Sequence, residues 1–216
     1  MKKTVVLIVL FALPIVAYLF FASGVNTFAK LPTVTPSINE LPSWPSLTGG
    51  TIKLQDKITI LGFPGKKMLY NKGNSFNLNQ KIYNKNREFK DFQIIMVAPK
   101  GTEQQAKELL AELGTISDLS RWQFVFAEPA EIKTYYNTLK LVGQLDGDHG
   151  TPNVFIIDKD RNLRGRKGAN KDGEEEYKEG YNTISAADLH NDMSDDVKII
   201  LAEYRLALKR NNKRKI

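Results

Sequence analysis

Four apolar runs of strand length, set between segments of helical period, constrain this chain more than any other feature. They are Ile58 to Phe63 (ITILGF), Phe92 to Ala98 (FQIIMVA), Trp122 to Ala127 (WQFVFA) and Asn153 to Asp158 (NVFIID). None alternates apolar with polar, so each reads as a central strand covered on both faces. Asn74 to Phe89 reads as a helix of mixed quality. Thr102 is expected to cap a second helix, with Gln105 as its capping-box partner and Ala106, Leu109, Leu110 and Leu113 on its buried face. Pro129 suits the first turn of a third, where Ile132, Tyr135, Tyr136 and Leu139 share a stripe. The turn-like Lys159-Asp160-Arg161-Asn162 returns the chain into a hairpin partner at Leu163 to Arg166. Ser194 is expected to cap the last helix, with Asp195 and Asp196 in its first turn and Val197, Ile200, Leu201, Tyr204 and Leu208 buried. The order is that of a layered α/β domain.

Ahead of it, residues 4–22 carry no charge and one weakly polar residue, Thr4. About 20 apolar residues cross a bilayer core, whereas the apolar region of a signal peptide is roughly 7–15 long. Residues 1–24 are therefore expected to be a transmembrane anchor, seated in the lipid through residues 4–23; an exported signal, cleaved after Thr27-Phe28-Ala29, is the alternative. Lys2 and Lys3 keep the N-terminus in the cytoplasm, so either reading puts the body outside a bacterial inner membrane, facing the periplasm or exterior. Residues 25–46 hold Pro32, Pro36, Pro42 and Pro45 and read as an extended spacer, 47–209 as one domain, and 210–216 as a basic tail.

The formal charge of +7 is not a nucleic-acid signal. Lys2 and Lys3 with Lys209, Arg210, Lys213, Arg214 and Lys215 account for all of it, leaving residues 4–208 neutral. The basic run is either simply solvated or in contact with anionic lipid. The chain has no cysteine, which excludes disulfides, thiol redox chemistry and thiolate metal ligation. No Walker loop and no nucleophile elbow is present: Leu61 to Met68 (LGFPGKKM) lacks the phosphate-loop spacing.

The element order resembles the thioredoxin fold, a three-layer α/β/α domain with a central mixed sheet. In that fold a proline, usually cis, precedes the strand that opens the C-terminal hairpin and faces the active site. Gly150-Thr151-Pro152 before Asn153 to Asp158 looks like that segment, although an ordinary trans proline at a strand start is also compatible. Within the fold the chain resembles the SCO/SenC family of membrane-anchored copper proteins that assist cytochrome oxidase assembly. The likeness rests on the anchor, the spacer, GGTIKLQDKITILGF and a histidine ahead of FIIDKD. A closer likeness, through FNLNQKIY, GTPNVFIIDK and YNTISAADLH, is to cysteine-less exported SCO-like proteins of flavobacteria, of uncharacterised role.

The departures limit what the resemblance implies. Where the family places a CxxxC pair, this chain has PGKKMLYNKGNSFNLNQ. The family's histidine copper ligand corresponds loosely to His149, one residue further from the strand. Met68 and Met96 are possible thioether donors that nothing in the sequence brings together. The expectation is thus a membrane-tethered, non-redox binding or accessory domain, with no cofactor and an unidentified protein partner, connected with respiratory-complex or metal-related assembly. Its groove would be marked by Gly150, Thr151 and Pro152, and a charged loop with Arg164, Arg166 and Lys167 would be a partner-docking element or a plain surface insertion. The alternative is a copper metallochaperone for cytochrome oxidase assembly using His149 with non-cysteine ligands. Other readings are an enzyme built on Asp146, Asp148 and His149, and a hard-metal site of His190 with Asp188, Asp192 and Asp195, where helix capping competes.

Overall fold

The computed structural model describes residues 3, 6, 10–16, 30–170 and 172–213. Its centre is a mixed sheet in the order β1-β6-β5-β2-β3-β4, with β9 also pairing to β5. Strands β2 (Ile58–Pro64), β3 (Phe92–Pro99) and β4 (Trp122–Ala127) are parallel. β5 (Gly150–Ile157) runs antiparallel to β2. β6 (Leu163–Arg164) returns on the Ile156–Ile157 end of β5, and β9 (Tyr181–Asn182) pairs with its Asn153–Val154 part. The expected hairpin forms as read: the Asp158 carboxylate accepts from the Asp160 and Asn162 amides at 3.0 and 2.8 Å, closing the turn.

The apolar strands are buried on both faces because each has a separate partner layer. Ile58 and Ile60 of β2, Ile94 and Met96 of β3, and Val154 and Ile156 of β5 face one cluster. That side is covered by α1 (Lys72–Leu78) with its continuing turns, α2 (Glu103–Gly114) and α4 (Ser194–Lys213). Leu61, Phe63, Ile95, Val97, Phe155 and Ile157 face the other side, where α3 (Pro129–Thr138) is the one helix among the described residues. Ile38, Leu41, Trp44 and Leu54 complete that cover.

The spacer expectation over residues 25–46 is therefore corrected over its described part, residues 30–46. Thr33–Thr35 form β1, an edge strand antiparallel to β6, and the prolines shape an extended strap across the second face. A face as wide as the sheet needs more apolar cover than a single ten-residue helix supplies, and the strap provides it. The anchor expectation falls mainly on residues outside the described set. Residues 10–16 are helical with Leu10, Phe11, Leu13, Ile15 and Val16 exposed, and among the described residues no helix is long and apolar enough to cross a membrane.

Three helix readings change in detail. The first helix runs α1, a π-helical turn at Asn79–Tyr83, then Asn84–Asn86. Thr102 does precede α2, but its hydroxyl donates to the Pro99 carbonyl at 2.7 Å rather than capping, and Gln105 instead donates to the Lys66 carbonyl at 3.1 Å. Ser194 is not a cap: the helix begins earlier, through a π-helical stretch Asp188–Met193, and Ser185 accepts from the Asp188 amide at 3.1 Å. At α3 the reading holds, with Pro129 at the first turn and a capping box between Glu128 and Glu131.

Candidate functional site

A cavity of about 220 Å³ opens where the C-terminal end of β2, the start of α1 and the start of β5 converge. Its floor is apolar, with the buried Met68, Leu78, Met96 and Val154. Its walls carry amide and hydroxyl groups: Asn71 just before α1, Asn74 and Ser75 within it, Thr151 from β5, and Thr183 after β9. Asp146 adds a carboxylate at one side. Concave, mainly apolar sites with a few placed polar groups are the usual form of a binding site.

The backbone beneath it is tightly set. Gly65 has φ +69, and a Cβ there would lie 2.9 Å from the Asp148 carbonyl oxygen and from Gly150 Cα. Gly150 would in turn place a Cβ 3.0 Å from Gly65 Cα. Only glycines allow this approach of the β2 exit to the loop before β5. Asp146 closes that loop, its carboxylate accepting from the amides of Asp148 at 2.9 Å and Gly150 at 2.8 Å.

Of the expected groove residues, Gly150, Thr151 and Pro152 all line the cavity. The cis expectation for Pro152 is corrected: no cis peptide bond occurs among the described residues, and Pro152 is the third residue of β5 rather than its preface. The strand already begins at Gly150, paired with Pro64, so an extended trans linkage carries the chain through. The Pro152 carbonyl accepts from the Thr183 amide at 2.9 Å and hydroxyl at 2.6 Å, which fixes the far wall.

His149 lies beside the cavity, not in its lining, at φ +59 in the tight turn. Its neighbours are committed elsewhere: Asp146 to loop amides, and Asp148 to Lys67 at 2.8 Å. The Lys67 ammonium holds the Asp148 carboxyl below its ordinary range. Among the described residues no group of three or more His, Cys, Asp or Glu side chains could hold a metal. Met68 and Met96 do meet in one cavity, but two thioethers without thiolate and without His149 in the wall do not fit a resident copper ion. Around His190 the carboxylates are also engaged, Asp188 and Asp192 by Lys178 and Asp195 by Lys198 at 2.8 Å.

The charged stretch is not a plain loop. β7 (Arg166–Ala169) and β8 (Glu175–Lys178) make a separate two-stranded hairpin. Arg164 is corrected as a docking residue, since its guanidinium is buried and binds Asp158 at 2.8 Å, the Leu31 carbonyl and Glu203. Arg166 binds Asp196 at 2.8 Å and Glu176 at 3.1 Å, tying the hairpin to α4. Lys167 remains exposed. Sequence reasoning missed Asn71, Asn74, Thr183 and Ile184, which come from segments distant in sequence that only the fold brings together.

The sequence matches no family model and no curated relative. Solved structures do match. BsSco, described as a member of the Sco family of cytochrome c oxidase assembly proteins with a disulfide switch, aligns with TM-score 0.55 at 13% identity over 80% of this chain and 98% of its own. A putative protein disulfide isomerase from Bacteroides thetaiotaomicron aligns with TM-score 0.53 at 10% identity over 81% of this chain and 95% of its own. The chain has the thioredoxin fold.

Proposed function

We propose that this chain is a membrane-tethered thioredoxin-fold domain that holds a segment of a protein partner in its groove and carries out no thiol exchange. One observation carries the reading: a formed cavity stands at the head of β5 in a chain with no sulfur nucleophile to use there. Its rim is suited to a protein surface. Tyr70, next to Asn71, is 88% exposed, and Ile184 in the cavity wall is 64% exposed. Large apolar side chains set around a polar-walled pocket are the usual anchors of recognition. The thioredoxin scaffold supplies the position, while the missing cysteines remove the electron transfer.

The likeness to BsSco is the reason to look for the partner among respiratory oxidase subunits. The test is a photoreactive side chain placed at Tyr70 in the full chain in its native membrane, with Lys167 on the outer hairpin as the comparison. Crosslinks to one defined protein from position 70 and not from 167 support groove binding. Crosslinks from 167 alone would move the docking surface to the hairpin and overturn the reading.

A further inference from the structure

We infer that the groove between the strap and α3 binds a basic segment of a protein partner, through an arginine or a lysine. It is a second site, on the other face of the sheet from the cavity floored by Met68 and Met96, and does not depend on it. The groove has a volume of about 420 Å³. Glu40, Pro42 and Trp44 line it from the strap, and Glu131, Thr134 and Tyr135 from α3. It continues to Thr138, so it follows the helix for about 10 Å, room for roughly three extended residues.

Both walls are fixed by the fold. The Tyr135 hydroxyl donates to the Asn39 carbonyl at 3.0 Å, and its ring meets Trp44 edge to face with centroids 5.5 Å apart. The Glu40 carboxylate accepts from the amides of Leu41, Leu54 and Gln55 at 2.9, 2.7 and 3.0 Å, which pins the strap to the chain ahead of β2.

The groups left over define the ligand. Glu131 accepts from the Glu128 amide through Oε2 at 2.9 Å, while its Oε1 has no partner among the described residues. Glu40 adds a second negative charge, and the lining holds no cation. Arg161, close enough for its charge to act on Tyr135, stands outside the lining. Trp44 is only 8% exposed, yet its indole N–H has no acceptor among the described residues. Unlike the indole N–H of Trp122, it is not sealed from solvent. A buried indole N–H ordinarily finds an acceptor. Trp44 is enclosed except along the groove, so the groove is where that acceptor must come from. The ligand therefore brings positive charge for the carboxylates and an acceptor for the indole. A metal ion has no acceptor to offer, and a simple anion would meet two carboxylates. A peptide with an arginine or lysine carries both, a cation for Glu131 and a backbone carbonyl for Trp44, and aromatic-lined grooves suit extended segments.

The chain has two tryptophans, so indole ¹⁵N labelling of the full chain in detergent micelles gives one N–H signal from the groove and one from Trp122, which lies in the core on the other side. The probes are a blocked tripeptide with arginine between two alanines, its lysine counterpart, and the same peptide with glutamine or glutamate at the centre. The expected result is a saturable downfield shift of Trp44 with a basic peptide and not with the other two, while Trp122 stays in place. Glu131→Gln removes the charge but keeps an oxygen for the Glu128 amide, and should weaken binding by about 2- to 5-fold, as loss of a partly exposed charge pair does. An unmoved Trp122 signal shows that the variant is folded. Salt makes the same test without a variant, since binding should weaken toward ~1 M, where the screening length is ~3 Å. The inference is overturned if neither basic peptide moves Trp44, or if the glutamine or glutamate peptide moves it as far. It is equally overturned if Trp122 moves with Trp44 on titration, or if binding is indifferent to both salt and Glu131→Gln. None of these results touches the other cavity, which the crosslinks from position 70 test separately.

Discussion

Gly65 and Gly150 touch backbone to backbone, leaving no room for a Cβ on either: one at Gly150 would stand 3.0 Å from Gly65 Cα. This contact sets the distance between the end of β2 and the start of β5, and so the width of the cavity between them. Gly65→Ala combines that clash with a left-handed φ of +69 and should destabilise by about 1–3 kcal/mol. Gly73→Ala is the opposite case. It lies inside α1 with nothing within 4 Å of a new Cβ, and should stabilise by about 0.5–1 kcal/mol. Urea denaturation of the two variants should shift the midpoint in opposite directions.

Arg164 is the second point at which a single change should be severe. Asp158 is 1% exposed, and Arg164 is its cationic partner at 2.8 Å. Arg164→Met leaves that carboxylate buried without a counter-charge and releases Leu31 and Glu203, at a cost of about 3–5 kcal/mol. Arg164→Lys cannot reproduce the fork to Glu203 and Leu31, so it should recover only part of the loss. Hydrogen exchange at residues 31–35 should rise in both variants and rise further in Arg164→Met.

Acid should loosen the fold from its rim. The Lys159 ammonium, hydrogen-bonded to Asp91, holds that carboxyl below its ordinary value. At Asp192, burial pushes the carboxyl up, but its bond to Lys178 and the nearby Arg166 prevail and the net shift is down. A carboxyl whose folded value is depressed adds stability above its unfolded value and loses it as pH falls through the folded one. Stability should therefore hold from neutral pH to about 5 and fall below about 4. Asp91→Asn should be less stable than the parent at pH 7, and the gap should close as pH drops below 4, read from denaturation midpoints at each pH.

The four core strands were legible because a strand buried on both faces leaves a local mark, an unbroken apolar run such as ITILGF or FQIIMVA. The strap left none. Ile38, Leu41 and Trp44 are spaced among prolines with no period, and their burial depends on the uncovered face of a sheet formed by distant residues. Arg164 read as a surface charge because nothing nearby in sequence announces Glu203 or the Leu31 carbonyl. Thr102 and Gln105 had the right spacing for a cap, yet instead of accepting from helix amides each donates outside the helix, to the Pro99 and Lys66 carbonyls. The groove was half legible. Gly150-Thr151-Pro152 stood out as a motif, whereas Asn71, Asn74 and Thr183 gain meaning only when α1 and β9 are brought beside it.

The groove reading separates two kinds of residue by what their loss should do. Tyr70 and Ile184 are exposed, so Tyr70→Ala and Ile184→Ala should leave stability within about 0.5 kcal/mol. If they anchor a partner, each should weaken its capture by roughly 10- to 30-fold, as loss of an interface anchor worth about 2 kcal/mol does. Met96 is buried under the cavity, and Met96→Ala should instead cost about 2–5 kcal/mol of fold stability. Reduction of a disulfide takes two electrons and a thiolate to attack one sulfur. This chain offers no thiol, so the purified protein should show no insulin-disulfide reduction with any thiol reductant above the reductant's own rate. Turnover above that rate, or rim variants that bind the crosslinked partner as tightly as the parent, would show that the cavity is not a recognition site that has lost its chemistry.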